Sequence, residues 1–200
     1  DGYTLVFSPN TPLVVQPHRM KNLPYAREAI TPLCQTFENI FLVATGPKSS
    51  FNNIQEILEQ ARKNPGQLRY GTAGVGSAPH LAGAELWIKS GVQLADIPYA
   101  SEALALPQML TGELDLGVVT MRLVSVNKLK PMAVFASERI KQYPATPTTS
   151  ELGHSIVPSG YGGLFVRSDT PAAIIVRLES ACRDATADTG YRGLAEKQFL

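Results

Sequence analysis

The 200-residue chain carries eighteen basic and seventeen acidic side chains, so it presents almost no net field. With 44% hydrophobic and 18% charged residues it reads as a folded chain, long enough for one sizeable domain or two smaller ones, and not as a disordered one. Its cations are scattered (Lys128, Lys130, Arg139, Lys141) and no apolar run reaches the roughly 18 residues of a membrane span, so neither a nucleic-acid partner nor direct membrane insertion is expected.

Asp1-Gly2 leads, without an initiator Met or a signal peptide, straight into a strand-like run at 3–8. The chain stops inside a helical-looking segment at 191–200, so the sequence reads as a fragment or processed piece of a longer one. Further strand-like runs fall at 40–44, 68–72, 94–99, 116–120, 131–136 and 162–166. Between the first two of these lies a helix whose buried face is Ile54, Ile57, Leu58 and Ala61, at the i, i+3, i+4, i+7 spacing. Asn53 and Glu56 form a capping pair at its start, and Asn64-Pro65-Gly66 stops it. Pro107 should kink a helix in the stretch before 116. A last amphipathic helix begins near Thr170-Pro171 and carries Ile174, Leu178, Ala181 and Ala185 on one face. Strands alternating with helices give an α/β fold, with mostly parallel sheets covered by helices on both faces. Breaks at Gly46-Pro47 and across the Pro-rich stretch 142–160 divide it into an outer lobe of 1–45 plus 159–200 and a middle lobe of 46–158. Cys34 and Cys182 show no CxxC spacing; two buried thiols are the plainer reading, and a single disulfide stays open.

The segment richest in chemistry is Tyr70-Gly71-Thr72-Ala73-Gly74-Val75-Gly76-Ser77-Ala78-Pro79-His80-Leu81, which follows a strand and opens an apolar helix. Pro79 suits a first helical turn, because its missing N–H would be unpaired there. Glycines let the backbone approach a ligand, and free amides at a helix start favour an anion. Ser77 adds a hydroxyl donor. No Gly-Lys-Ser/Thr ending makes this a nucleotide phosphate loop, and Pro79 replaces the third glycine of a dinucleotide fingerprint, so a carboxylate fits better. The bland alternative is a tight strand-to-helix turn. Catalytic sets are thin: no Gly-x-Ser-x-Gly elbow surrounds Ser77, and His80 and Glu85 lie about 140° apart on a helix. No catalytic residue, metal site or cofactor is expected. His80 divides between a ligand contact and a helix-start histidine, while His18 and His154, in polar Pro-rich surroundings, read as surface residues.

Asp1-Gly2-Tyr3-Thr4-Leu5, Leu23-Pro24-Tyr25, Asn64-Pro65-Gly66-Gln67-Leu68, Gly74-Val75-Gly76-Ser77-Ala78-Pro79-His80-Leu81, Ile97-Pro98-Tyr99, Gly112-Glu113-Leu114-Asp115-Leu116 and Pro144-Ala145-Thr146-Pro147-Thr148 come in order. Over essentially its whole length the chain resembles the tricarboxylate-receptor (TctC, or Bug) family of extracytoplasmic binding proteins. The resemblance implies a two-lobed, hinged, type II periplasmic-binding-protein-like fold. Its expected role is a periplasmic, non-catalytic receptor that closes on a small carboxylate (a di- or tricarboxylate or an amino acid) and passes it to membrane transporter subunits. The matching ligand positions are Ser8, Asn10 and Thr11 in the outer lobe and Gly76, Ser77 and His80 in the middle lobe, with Tyr99 and Thr120 at strand ends. The family carries a first strand and a glycine-rich jaw loop before the position of Asp1, both missing here. It also reads Lys-Gly where this chain has Ala100-Ser101, and an acid where Val119 stands. A periplasmic sensory domain, or an anion-dependent enzyme using Ser77 or His80, are the alternatives.

Overall fold

The computed structural model describes residues 2–158 and 160–199. The chain divides into two compact units, Asp1–Asn39 with Ser159–Leu200, and Ile40–Pro158.

The first unit is built on a three-stranded sheet in the order β1 (Val6–Pro9), β8 (Tyr161–Arg167), β2 (Ile30–Glu38), with both pairings antiparallel. Two glycines in the central strand let the neighbours close in. A Cβ on Gly162 would stand 2.6 Å from the Ser8 carbonyl oxygen, and one on Gly163 would stand 2.0 Å from that of Cys34. Short helices α1 (Thr11–Val14) and α2 (Gln16–Arg19) follow β1, and a 3-10 turn at Arg27–Ala29 leads into β2. Helix α7 (Ala172–Ala187) packs on β2 and is fixed to it by a disulfide between Cys34 and Cys182, whose Cα atoms lie 6.4 Å apart. Helix α8 (Thr189–Lys197) is tied to the same strand where the Tyr191 hydroxyl donates to the Thr36 carbonyl.

The second unit has a five-stranded sheet in the order β5 (Ala95–Pro98), β4 (Arg69–Thr72), β6 (Leu116–Thr120), β3 (Phe41–Thr45), β7 (Lys130–Val134). Strand β3 is buried at every position, which is why it reads as an unbroken apolar run and not as an alternation. Helix α3 (Ile54–Lys63) seats Ile54, Ile57, Leu58 and Ala61 in a core shared with Phe41, Val43, Leu86, Trp87, Leu116 and Val118. At its start the Asn53 carboxamide oxygen accepts from Glu56 N–H at 3.0 Å, and Glu56 reaches back to Asn52 N–H at 2.8 Å. Helices α4 (Ala78–Lys89), α5 (Glu102–Thr111) and α6 (Met121–Asn127) each follow a strand. Helix α5 continues through Pro107, which lies on its exposed side where water can serve the carbonyl left without a donor.

The α/β class stands, but three expectations change. Only β5, β4 and β6 run parallel; β3 is antiparallel to β6 and β7, and the first unit has no parallel pair among its described residues. Strand-and-helix alternation carries no direction for a strand such as β3, which is paired with later strands and not with its sequence neighbour β4. The boundary expected at 45/46 falls at 39/40, because Phe41–Thr45 pairs inside the second sheet. Strand β2 went unforeseen: Pro32 and two bulges, at Pro32/Cys34 and Gln35/Phe37, break its period.

Candidate ligand site

Strands β5, β4 and β6 lie side by side and parallel, so their C-terminal ends share one rim of the second unit, and each gives way to a helix there. Open α/β sheets hold ligands at that end, where amides of helix starts converge.

The loop from β4 to α4 is set by two glycines in the left-handed region, Gly74 at φ +99° and Gly76 at φ +81°. Gly74 leaves room for its neighbour, since a Cβ there would meet the Tyr99 carbonyl oxygen at 3.0 Å. Ser77 N–H donates to the Gly74 carbonyl at 3.1 Å, closing the turn. Ser77 is the N-cap of α4: its hydroxyl oxygen accepts from His80 N–H at 3.4 Å, and its carbonyl from Leu81 N–H at 3.0 Å. The His80 amide, which the helix itself leaves unpaired, is thus satisfied, and the Leu81 bond is the first of the helical ladder. The Ser77 hydroxyl hydrogen and the Ala78 N–H have no hydrogen-bond acceptor among the described residues.

His80 has both ring nitrogens engaged. Nδ1 accepts from Gly76 N–H at 3.2 Å, and Nε2 lies 3.2 Å from Asp96 Oδ2 on β5. Asp96 sits opposite Tyr70 in the register. Burial pushes the Tyr70 phenol up to about 12, and the Asp96 carboxylate adds to the rise.

Tyr99 follows β5, half-buried, and its N–H donates to the Thr72 carbonyl at 3.2 Å. Thr120 is the N-cap of α6, and its hydroxyl is committed on both sides. It donates to Glu102 Oε1 at 2.6 Å and accepts from Leu123 N–H at 3.3 Å. Thr120 N–H also donates to Glu102 Oε2, at 2.8 Å. Gly76, Ser77, His80, Tyr99 and Thr120 therefore come to one rim. Asp96 and Glu102, which sequence reasoning passed over, hold two of them; the one hint was an acid in the first turn of a helix.

Ser8, Asn10 and Thr11 stand together in the first unit, at the end of β1 and the start of α1. The Ser8 hydroxyl donates to the Pro9 carbonyl at 3.0 Å. Asn10, only 4% exposed, donates its N–H to the Tyr161 carbonyl at 3.0 Å, while its side-chain Nδ2 is buried without a partner. His18 is exposed, whereas His154 is half-buried with Nε2 3.2 Å from Ser90 Oγ at the end of α4. Among the described residues no three His, Cys, Asp or Glu side chains gather in a metal-binding group, and no helix is long and apolar enough to cross a membrane.

Residues 1–199 match the family described as the tripartite tricarboxylate transporter family receptor, TctC. A UPF0065 protein of Bordetella pertussis (strain Tohama I) is 30% identical over 197 residues, covering 96% of this chain and 61% of the relative. The chain thus spans about three-fifths of the length of such curated relatives. The crystal structure of a TctC solute binding protein from Polaromonas superposes with a TM-score of 0.77 at 28% identity, over 99% of this chain and 69% of that one. Two R. palustris proteins share the fold: one with adipate (TM-score 0.88, 19% identity, 99% and 68% covered) and MatC with bound malate (TM-score 0.85, 22% identity, 99% and 69% covered).

Proposed function

The chain belongs to the receptor family of tripartite tricarboxylate transporters, and from that premise we propose that it is a periplasmic solute receptor for a small carboxylate, a di- or tricarboxylate or an amino acid, serving membrane transporter subunits. The observation that carries this reading is the entrance of α4, where the Ser77 hydroxyl hydrogen and the Ala78 amide converge unpaired on a positive helix end. Glu102 already takes both donors of Thr120, so the donors left for a ligand carboxylate lie at the α4 end. Gly76 shapes this loop, and Tyr99 walls it through its contact with Gly74. The role is binding and not catalysis: Ser77 has no base, because the His80 ring faces Gly76 and Asp96 instead. A disulfide accords with an oxidising compartment such as the periplasm.

Calorimetry with malate and adipate as probes tests the assignment. Ser77→Ala removes one charge-assisted bond and is expected to weaken binding by about 1.5–3 kcal/mol. It also removes the helix cap, whereas Ser77→Gly keeps most of the capping energy and loses only the hydroxyl. Both variants should lose affinity alike. Binding unchanged in both would remove Ser77 from the site.

A further inference from the structure

We propose that His80 and Asp96 form a positioning pair that holds the ligand loop in shape through the neutral, Nε2-protonated histidine. The inference rests on the reading that this loop receives the carboxylate. Gly76 N–H can only donate, so the His80 Nδ1 that faces it at 3.2 Å must carry a lone pair. In the neutral ring the hydrogen then sits on Nε2, which is the nitrogen facing Asp96 Oδ2 at 3.2 Å. Asp96 selects the tautomer, and the tautomer holds Gly76.

The pair is partly shielded from water, with side chains 17% and 25% exposed for His80 and Asp96. It grips the loop at Gly76, a glycine whose backbone is free to take many other conformations when nothing holds it. A second proton on His80 would put N–H against N–H at Gly76 and release the loop. The charged and titratable groups around the ring are few. Asp96 on β5 is in contact, and Tyr70 on β4 sits opposite Asp96. Arg69 on β4 pairs with Asp115, Glu85 on α4 pairs with Lys89, and β6 contributes none. Protonation of His80 is therefore read at Gly76 directly.

The test separates the pair from the ligand reading by starting without ligand. Nitrogen-15 spectra of the unliganded chain should show the Nε2–H tautomer, and the Gly76 amide should shift with the same pH midpoint as the ring. An Nδ1–H tautomer, or a Gly76 amide indifferent to the ring, overturns the proposal whether or not any carboxylate binds. With malate or adipate, wild-type affinity should fall about tenfold as His80 takes its second proton. His80→Asn places a carboxamide oxygen where Nδ1 stands and should lose the pH dependence, its affinity staying level across the titration. His80→Gln reaches Asp96 but not Gly76 and should bind about tenfold more weakly throughout. Equal, pH-independent affinity in all three also overturns it. Trp87 emission reports that each variant is folded, since Trp87 is buried in the same unit.

Discussion

Replacing Cys34 and Cys182 by serine should cost the first unit about 3–5 kcal/mol of stability. The bond joins residues 148 positions apart and clamps α7 onto β2, the most irregular strand of that sheet. Loop closure over that full length gives the upper figure. A second unit that stays folded between the two halves shortens the effective loop and gives the lower. The first unit has a thin core, with Leu33, Phe165, Val166 and Cys182 as its buried apolar residues among those described. The bond therefore stands for a large share of its marginal stability. The effect can be watched one unit at a time. The single tryptophan, Trp87, lies in the second unit, so its emission should hardly change while proteolysis opens the first. A serine variant, or a reduced protein, whose first unit resists protease as the oxidised one does would contradict the assignment.

The complementary prediction falls on the second unit. Gly46→Ala should destabilise it by about 3 kcal/mol, the upper end of overpacking costs. A Cβ at that position would lie 1.8 Å from the Met109 carbonyl oxygen and 2.8 Å from its carbon. Both neighbours are backbone atoms of α5, so no side chain can swing aside. Either β3 or α5 must move, and both are packed on β6. The same helix carries Glu102 at its other end, where it binds Thr120, so a shift of α5 reaches the rim of the sheet. Urea unfolding followed by Trp87 emission measures the cost; a midpoint equal to wild type would show that the contact relaxes freely.

Gly46 also shows how far the sequence could be read. Beside Pro47 it marks a break, and sequence reasoning made it the passage between lobes. In the structure its lack of a side chain is used for packing, and the passage lies earlier, ahead of β3. Elements whose signal is local were legible. The Asn53–Glu56 cap and the spacing of Ile54, Ile57, Leu58 and Ala61 define α3 from within one segment. The glycine loop and Ser77 declare a helix entrance for the same reason. Strand direction was not legible, because pairing of β3 with β6 and β7 is decided by segments far along the chain. Nor were Asp96 and Glu102: each acts on a residue from another strand-to-helix junction, and nothing in their local sequence names that partner. Cys34 and Cys182 fall in the same class, since two cysteines specify a bond only once the fold brings them together.

If the rim formed by the ends of β4, β5 and β6 receives a carboxylate, its amides should report the ligand. Amide chemical-shift mapping tests it most directly, with the nitrogen-15-labelled 200-residue chain titrated with malate and, separately, adipate. Saturable shifts should centre on Ser77, Ala78 and His80, with smaller ones at Tyr99 and little at Thr120, whose groups are already bound to Glu102. Saturable shifts confined to other surfaces, or none at any accessible concentration of either probe, would contradict it.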